Sequence, residues 1–384
     1  MALIDSGVDR SLPDLKGQVL DGVDFSKQRG DEHTDLADHG TNLSVVIAGI
    51  GATEARYGGQ GLAPGAKILP IRMLDGKEVA GQDDAGTRYS QTLSRAIRYA
   101  ADSKAQIINL SLARENSPGQ QDVGTPELAA AVKYALSKGK LLFAGVGNSA
   151  EKSNPVQYPA ATPGVVGVGA ADDHAQVADF SERGPQVDMI APGVRLVYPC
   201  RGGTMICDGD GTSLASAVAS ASAALIWAKH PEWTNNQVLR VMLNTLNKPA
   251  DGSKRNDFIG YGGIRTRAAL KSPGDPGPPN EYPLPDLAAA AKKSPSLKAP
   301  KPTSPAKHEN AAPKTSESGN TLLWTGVGVA AALMVGAAIA VAVLRSRRRT
   351  AATPPPPPAH PPYVPAQSPH QPPADSHHRS EQNP

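Results

Sequence analysis

The chain has 384 residues, a formal net charge of +3, two cysteines, and few aromatics against 38 glycines and 36 prolines. That charge is too small to argue for a nucleic-acid partner, and two cysteines exclude a disulfide scaffold and a four-cysteine zinc site. The length allows one large domain or two ordinary ones, and the first stretch alone can bury about three quarters of its unfolded surface.

Residues 1–270 alternate short β-branched runs with helical patterns. The runs ALI, AKILPIRM, AQIINL, LLFAGV and GVVGVGA read as strands apolar on both faces. Between them lie amphipathic stretches such as YSQTLSRAIRYAADS and TPELAAAVKYALSKG. The second carries Thr125 as a cap, Pro126 and Glu127 in its first turn and Gly139 at its stop. Strands separated by helices in this way predict a three-layer α/β/α domain with a mostly parallel central sheet.

In chain order, ALIDSGVD places Asp5 at the carboxyl end of a strand, where Ser6 and Gly7 begin a turn. ADHGTNLSVVIAGI places His39 at the start of a small-residue helix, and Gly40 leaves room beside the imidazole. DGDGTSLASAVASASAALIWAKHP places Ser213 in a tight turn at the mouth of a helix too apolar to face water, which ends at Pro231. Each residue alone also fits a structural role, as a cap, a turn or a surface histidine. In a parallel sheet, however, strand ends and the following helix starts meet on one edge, so all three can converge there. A serine nucleophile needs a base and the base needs an orienting acid, and this set supplies all three. No G-x-S-x-G elbow frames a serine and the acid precedes the histidine, which disfavours a lipase or esterase.

In LIDSGVD, DHGTNLSVVIAG, GLAPGAKILPIRML, AQIINLSL, LLFAGVGNSA, YPAATPGVVGVGA, FSERGPQVDMIAPG and GTSLASAVASASAALIWAKHPEW, the chain resembles the subtilisin-like serine proteases, the subtilase family. The resemblance implies a serine endopeptidase with Asp5, His39 and Ser213 as catalytic residues and Asn148 as the side-chain donor to the oxyanion. It also implies a polypeptide substrate paired along Asn109, Ser111, Leu112 and Ala113. No cofactor is expected, and no cluster of carboxylates stands out as a metal site. Asp208 and Asp210 read as turn and capping residues. Ala113, Asn42, Leu214 and Ala217 depart from the family's usual residues, which bears on substrate preference more than on reaction type. Cys200 and Cys207 are a candidate disulfide if the domain lies outside the cell; a simple Gly-Gly hairpin would instead set Cys200 opposite Met205.

Residues 271–320 are rich in Pro, Ala and Lys and read as a semi-rigid linker. Thr321–Leu344 holds no charge and is long enough to cross about 30 Å of hydrocarbon as a transmembrane helix. Residues 345–384 open with RSRRR and continue as a Pro-rich disordered tail. The basic cluster predicts a cytoplasmic tail and an extracytoplasmic catalytic domain at the plasma membrane. That topology needs an export signal, and none is visible, so the expectation is a peptidase domain incomplete at its N-terminus. A tail anchor with the globular part inside is the competing topology. The architecture resembles the mycosins, membrane-anchored subtilases of type VII secretion, and implies the secretion machinery as a partner. The alternative role is a structural subunit that stabilises a secretion complex with little dependence on proteolysis.

Overall fold

The computed structural model describes residues 1–52, 59–74, 85–116, 123–200 and 205–293. The expected span at 321–344, the cytoplasmic tail and the linker beyond residue 293 lie outside these residues. Among the described residues no helix is long and apolar enough to cross a membrane.

Strands β1 (Ala2–Asp5), β2 (Val23–Asp24) and β3 (Leu69–Arg72) form one side of the main sheet, with helix α1 (His39–Ala48) between the last two in sequence. Helix α2 (Ala85–Asp102) leads to β4 (Ile107–Leu110), short β5 (Arg114–Glu115), α3 (Pro126–Ser137) and β6 (Leu141–Gly145). Then follow β7 (Gln157–Tyr158), β8 (Val166–Ala171), β9 (Met189–Pro192) and a hairpin of β10 (Leu196–Pro199) with β11 (Ile206–Gly209). Helices α4 (Thr212–Lys229), α5 (Asn235–Thr245), α6 (Thr266–Lys271) and α7 (Asp286–Lys293) complete the described order. The α3 start is as its sequence predicts: Thr125 accepts the Leu128 N–H, and Pro126 and Glu127 follow.

The seven-stranded sheet runs β2-β3-β1-β4-β6-β8-β9, and every pairing within it is parallel. Successive side chains face opposite layers. Ala2 and Ile4 pack with α2 and α3 through Leu93, Ile97, Leu128 and Val132, whereas Leu3 packs with Leu43 and Ile47 of α1 and Ala217 and Ala221 of α4. A third cluster seats Phe143 and Val168 on Ala219, Ala223 and Trp227 of α4 and on α5. Strand order reverses at β1, so its carboxyl end opens onto the crevice where doubly wound sheets bind ligands.

Helix α4 reaches β4, β6, β8, β9 and α1. Such close approach requires small side chains, and Ala215, Ala217, Ala219, Ala221 and Ala223 are all fully buried. Its buried hydroxyls are satisfied locally: Ser220 donates to Asn109 Oδ1 (3.0 Å) and Ser222 to the Val218 carbonyl (2.7 Å). At the end of β3, Arg72 is fully buried. Its guanidinium donates to Asp24 Oδ2 (3.1 Å) and to the carbonyls of Ser6, Arg29 and Asp31 (3.3, 3.3 and 3.1 Å), tying the loop before α1 to the exit of β1.

Beyond α6 the chain stays on the domain, where sequence alone suggested a free linker from residue 271. Arg240 of α5 donates to the carbonyls of Pro276, Pro278 and Glu281 (2.9, 2.9 and 2.6 Å), and Gln237 to that of Gly277 (2.9 Å). Leu284 is buried, and Asp286 Oδ2 accepts the Gly164 N–H (2.6 Å). Prolines lack N–H groups but keep their carbonyls, so side-chain donors on a neighbouring helix can hold such a stretch without any hydrophobic period to mark it.

This segment closes over a cavity of about 560 Å³ that it shares with Asp188. Burial pushes the Asp188 carboxyl up to about 8, against one hydrogen bond from Gly167 N–H that favours the charge. A carboxyl raised on folding contributes stability that is complete below the ordinary carboxylate range and is lost as pH rises towards about 8. Asp188→Asn keeps an acceptor for Gly167 without the charge. Urea unfolding should therefore show wild-type stability falling between pH 5 and 8 by a few kcal/mol more than that of the variant; parallel curves would refute the assignment.

Candidate active site

Asp5 ends β1 with its side chain 1% exposed. Its Oδ1 accepts from the Ser6 N–H (2.7 Å), the Ser6 hydroxyl (3.1 Å) and His39 Nδ1 (2.7 Å). The histidine opens α1, which approaches β1 closely because of Gly40. A Cβ at that position would lie 2.2 Å from the Gly7 carbonyl oxygen and 3.1 Å from Asp5 Oδ1.

Asp35 reinforces the same junction. One of its oxygens accepts from Ser6 Oγ (2.8 Å) and the other from the N–H and hydroxyl of Thr41 (2.8 and 2.7 Å). Ser6 thus stands between two carboxylates and also accepts the Gly40 N–H (3.1 Å).

Ser213 occupies the first turn of α4. Its hydroxyl donates to the Ser111 carbonyl (3.2 Å), while its N–H is among those a helix start leaves without an intrahelical partner. Asn148 lies opposite, its Oδ1 accepting the Thr212 N–H (2.9 Å). Both donors flank Gly211: a Cβ there would sit 3.6 Å from Asn148 Nδ2 and 3.8 Å from Ser213 N. Thr212 Oγ1 also accepts the Gly147 N–H (3.1 Å), locking the Asn148 turn to the helix.

His39, Asn148 and Ser213 line one cavity of about 640 Å³, together with Ser6, Ser111, Leu112, Ala113, Gln157 and Tyr198. Asn42 and Leu214, two departures noted above, line it as well. Asn109 does not: it is fully buried on β4, donating to Ser111 Oγ (2.6 Å) and accepting from Ser220. The period-two alternation turns its side chain into α4 and the core network, so of the four expected substrate-wall residues the structure brings Ser111, Leu112 and Ala113 to the cavity but not the Asn109 side chain.

Cys200 and Cys207 are joined in a disulfide, and Cys200 also donates its N–H to the Met205 carbonyl (2.8 Å). Both pairings hold because the β10–β11 register sets Cys207 opposite Tyr198, diagonal to Cys200. The hairpin brings Tyr198, Gly209 and Asp210 to the cavity, and Asp210 accepts the Arg195 N–H (2.7 Å), a turn role. Burial raises the Tyr198 pKa, with Asp208 and Asp210 adding to the shift. Among the described residues, Asp21, Glu32 and His33 could hold a metal ion, but Arg10 already binds Asp21 (2.9 Å) and none of the three lines the cavity.

The sequence profile of the subtilase family, peptidase S8, matches residues 1–262. The chain belongs to that family. It is 39% identical over 272 residues to the thermophilic serine proteinase of Bacillus sp. strain AK1, across 70% of this chain and 61% of that protein. Among solved structures, MycP1 from Mycobacterium smegmatis aligns with a TM-score of 0.60 at 25% identity, covering 73% of this chain and 81% of that one. The MycP3 protease from the type VII (ESX-3) secretion system aligns with a TM-score of 0.59 at 29% identity, over 71% of this chain and 83% of the other.

Of the residues around the cavity, Asp35, Gln157 and Glu182 carried no sequence signal, since their contacts cross between loops. The disulfide closes a short loop at the rim, and such a cross-link contributes about 2.5 kcal/mol by the loop-entropy relation. Alkylation of unfolded, unreduced protein should leave both cysteines unlabelled, and Cys200→Ser with Cys207→Ser should lower stability by about that amount. Two reactive thiols in protein from an oxidising compartment would contradict the pairing.

Proposed function

We propose that this subtilase is a serine endopeptidase in which Asp5, His39 and Ser213 act as the catalytic triad and Asn148 as the oxyanion donor. The observation that carries the reading is the 2.7 Å bond from His39 Nδ1 to the buried Asp5, at the rim of the cavity that Ser213 and Asn148 also line.

In the reaction, the Ser213 hydroxyl turns from the Ser111 carbonyl towards the second nitrogen of His39. Its oxygen bonds to the peptide carbonyl carbon while the imidazole takes the proton. Asp5 holds the ring with Nδ1 protonated and stabilises the imidazolium that forms. The carbonyl oxygen becomes negative against Asn148 Nδ2 and the Ser213 N–H, donors fixed before the reaction by Thr212 and the helix start. His39 then gives its proton to the leaving amine as the C–N bond breaks; water, deprotonated by the same imidazole, bonds to the acyl carbon, and the imidazolium returns that proton to the Ser213 oxygen as the ester bond breaks. Ser111–Ala113 form the wall along which an extended polypeptide lies.

The site is set at the outer face of a plasma membrane, with residues 1–270 and the docked segment as the peptidase body, residues 294–320 as tether, 321–344 as the span and 345–384 inside. The uncharged run and the basic cluster behind it support this arrangement. A role beside type VII secretion machinery rests on the likeness to MycP3.

A fluorophosphonate probe tests the reading. It should label the wild-type chain at Ser213, and Ser213→Ala should abolish labelling while leaving the fold intact. Absence of labelling in folded wild type, or labelling that survives Ser213→Ala, would refute it. If Ser213→Ala leaves secretion intact where deletion of 321–344 abolishes it, the structural role is the essential one.

A further inference from the structure

Glu182 takes no part in the chemistry above, yet its side chain is fully shielded from solvent (0% exposed) behind the cavity. Two cavity-lining segments meet on it. Gln157 donates Nε2–H to its Oε1 (2.7 Å). Gly147 lies flush against the carboxyl: a Cβ there would fall 2.4 Å from Cδ and from Oε2, and its φ of +118° already favours glycine. The Glu182 N–H donates to the Gly147 carbonyl (3.1 Å), and the Ala150 N–H to that of Phe180 (3.1 Å). The turn carrying Asn148 is therefore seated on α4 through Thr212 on one side and on Glu182 on the other.

Resting on the protease reading, we propose that Glu182 is a positioning residue which, when ionised, pins the Gln157 wall and seats the Asn148 turn, coupling substrate fit to oxyanion stabilisation. A carboxylate suits the place because it only accepts, so the Gln157 amide is fixed with an N–H turned towards the acid. Protonation makes the acid a donor as well and frees that amide to flip.

Burial pushes the Glu182 carboxyl up to about 7, with the charge of Glu115 adding to the shift and the Ser149 N–H and Gln157 amide opposing it. Glu115 faces it from β5, opposite Gln157 in the β5–β7 pair. Arg183, next in sequence, lies over the Phe258 ring (5.2 Å), and Oε2 is buried with no hydrogen-bond partner among the described residues.

The test is the pH profile of kcat/KM on a peptide substrate. In wild type, Glu182 and His39 must both be unprotonated, so the acidic limb should fall with two protons. Glu182→Gln should reduce it to one, and Glu182→Ala should lower kcat about 10- to 100-fold through misplacement of the Asn148 turn. A one-proton limb in wild type, an unchanged limb in Glu182→Gln, or a kcat within twofold of wild type in folded Glu182→Ala would overturn the inference. Should a variant fail to fold, the wild-type limb alone still decides. A folded wild type without Ser213-dependent turnover defeats the protease reading itself and this inference with it.

Discussion

The local structure depends on one unfavourable placement, a carboxylate all but removed from water at the end of a central strand. An ionised acid in such a position is costly unless hydrogen bonds replace its hydration. Three donors converge on Asp5 Oδ1, and one of them is His39. The bonds that offset the burial are also those that fix the imidazole, so stabilising the strand end and orienting the His39 ring are the same act. The network reaches further: Asp35 anchors Ser6 and Thr41, while Arg72 draws the intervening loop onto the Ser6 carbonyl.

The other half of the site follows from packing. A helix that touches several strands and another helix must carry small side chains, and α4 does so along most of its length. Close packing drives its first turn up against the end of β6, where Gly147 and Asn148 are held by Thr212. Rigid contact between helix start and strand end is what preorganised electrostatic stabilisation requires, because donors that need not move cost nothing to reorient.

Much of this was legible in the sequence where local rules govern. The apolar runs became parallel strands, Thr125 and Pro126 start α3, and the order Asp, His, Ser placed three side chains on one sheet edge. Legibility failed where partners are distant in sequence and carry no period. Asp35 meets Ser6 across a loop, Glu182 meets Gln157 across another, and Arg72 ends a strand in register between Asp5 and Asp24 of its neighbours. Asn109 lies in the segment that resembles a substrate-pairing wall, and its side chain meets Ser220 of α4, a partner 111 residues away. Residues 272–293 read as spacer because proline-rich chain has no amphipathic signal, although α5 offers the donors that hold it.

The hydrogen bond between His39 and Asp5 is the claim to measure. Proton NMR of the folded domain should display a far-downfield resonance from the His39 Nδ1 proton. The account predicts that it is retained in Ser213→Ala and absent from folded Asp5→Ala. A wild-type spectrum without that resonance, or one unaltered by loss of the Asp5 carboxylate, would contradict the account at its base.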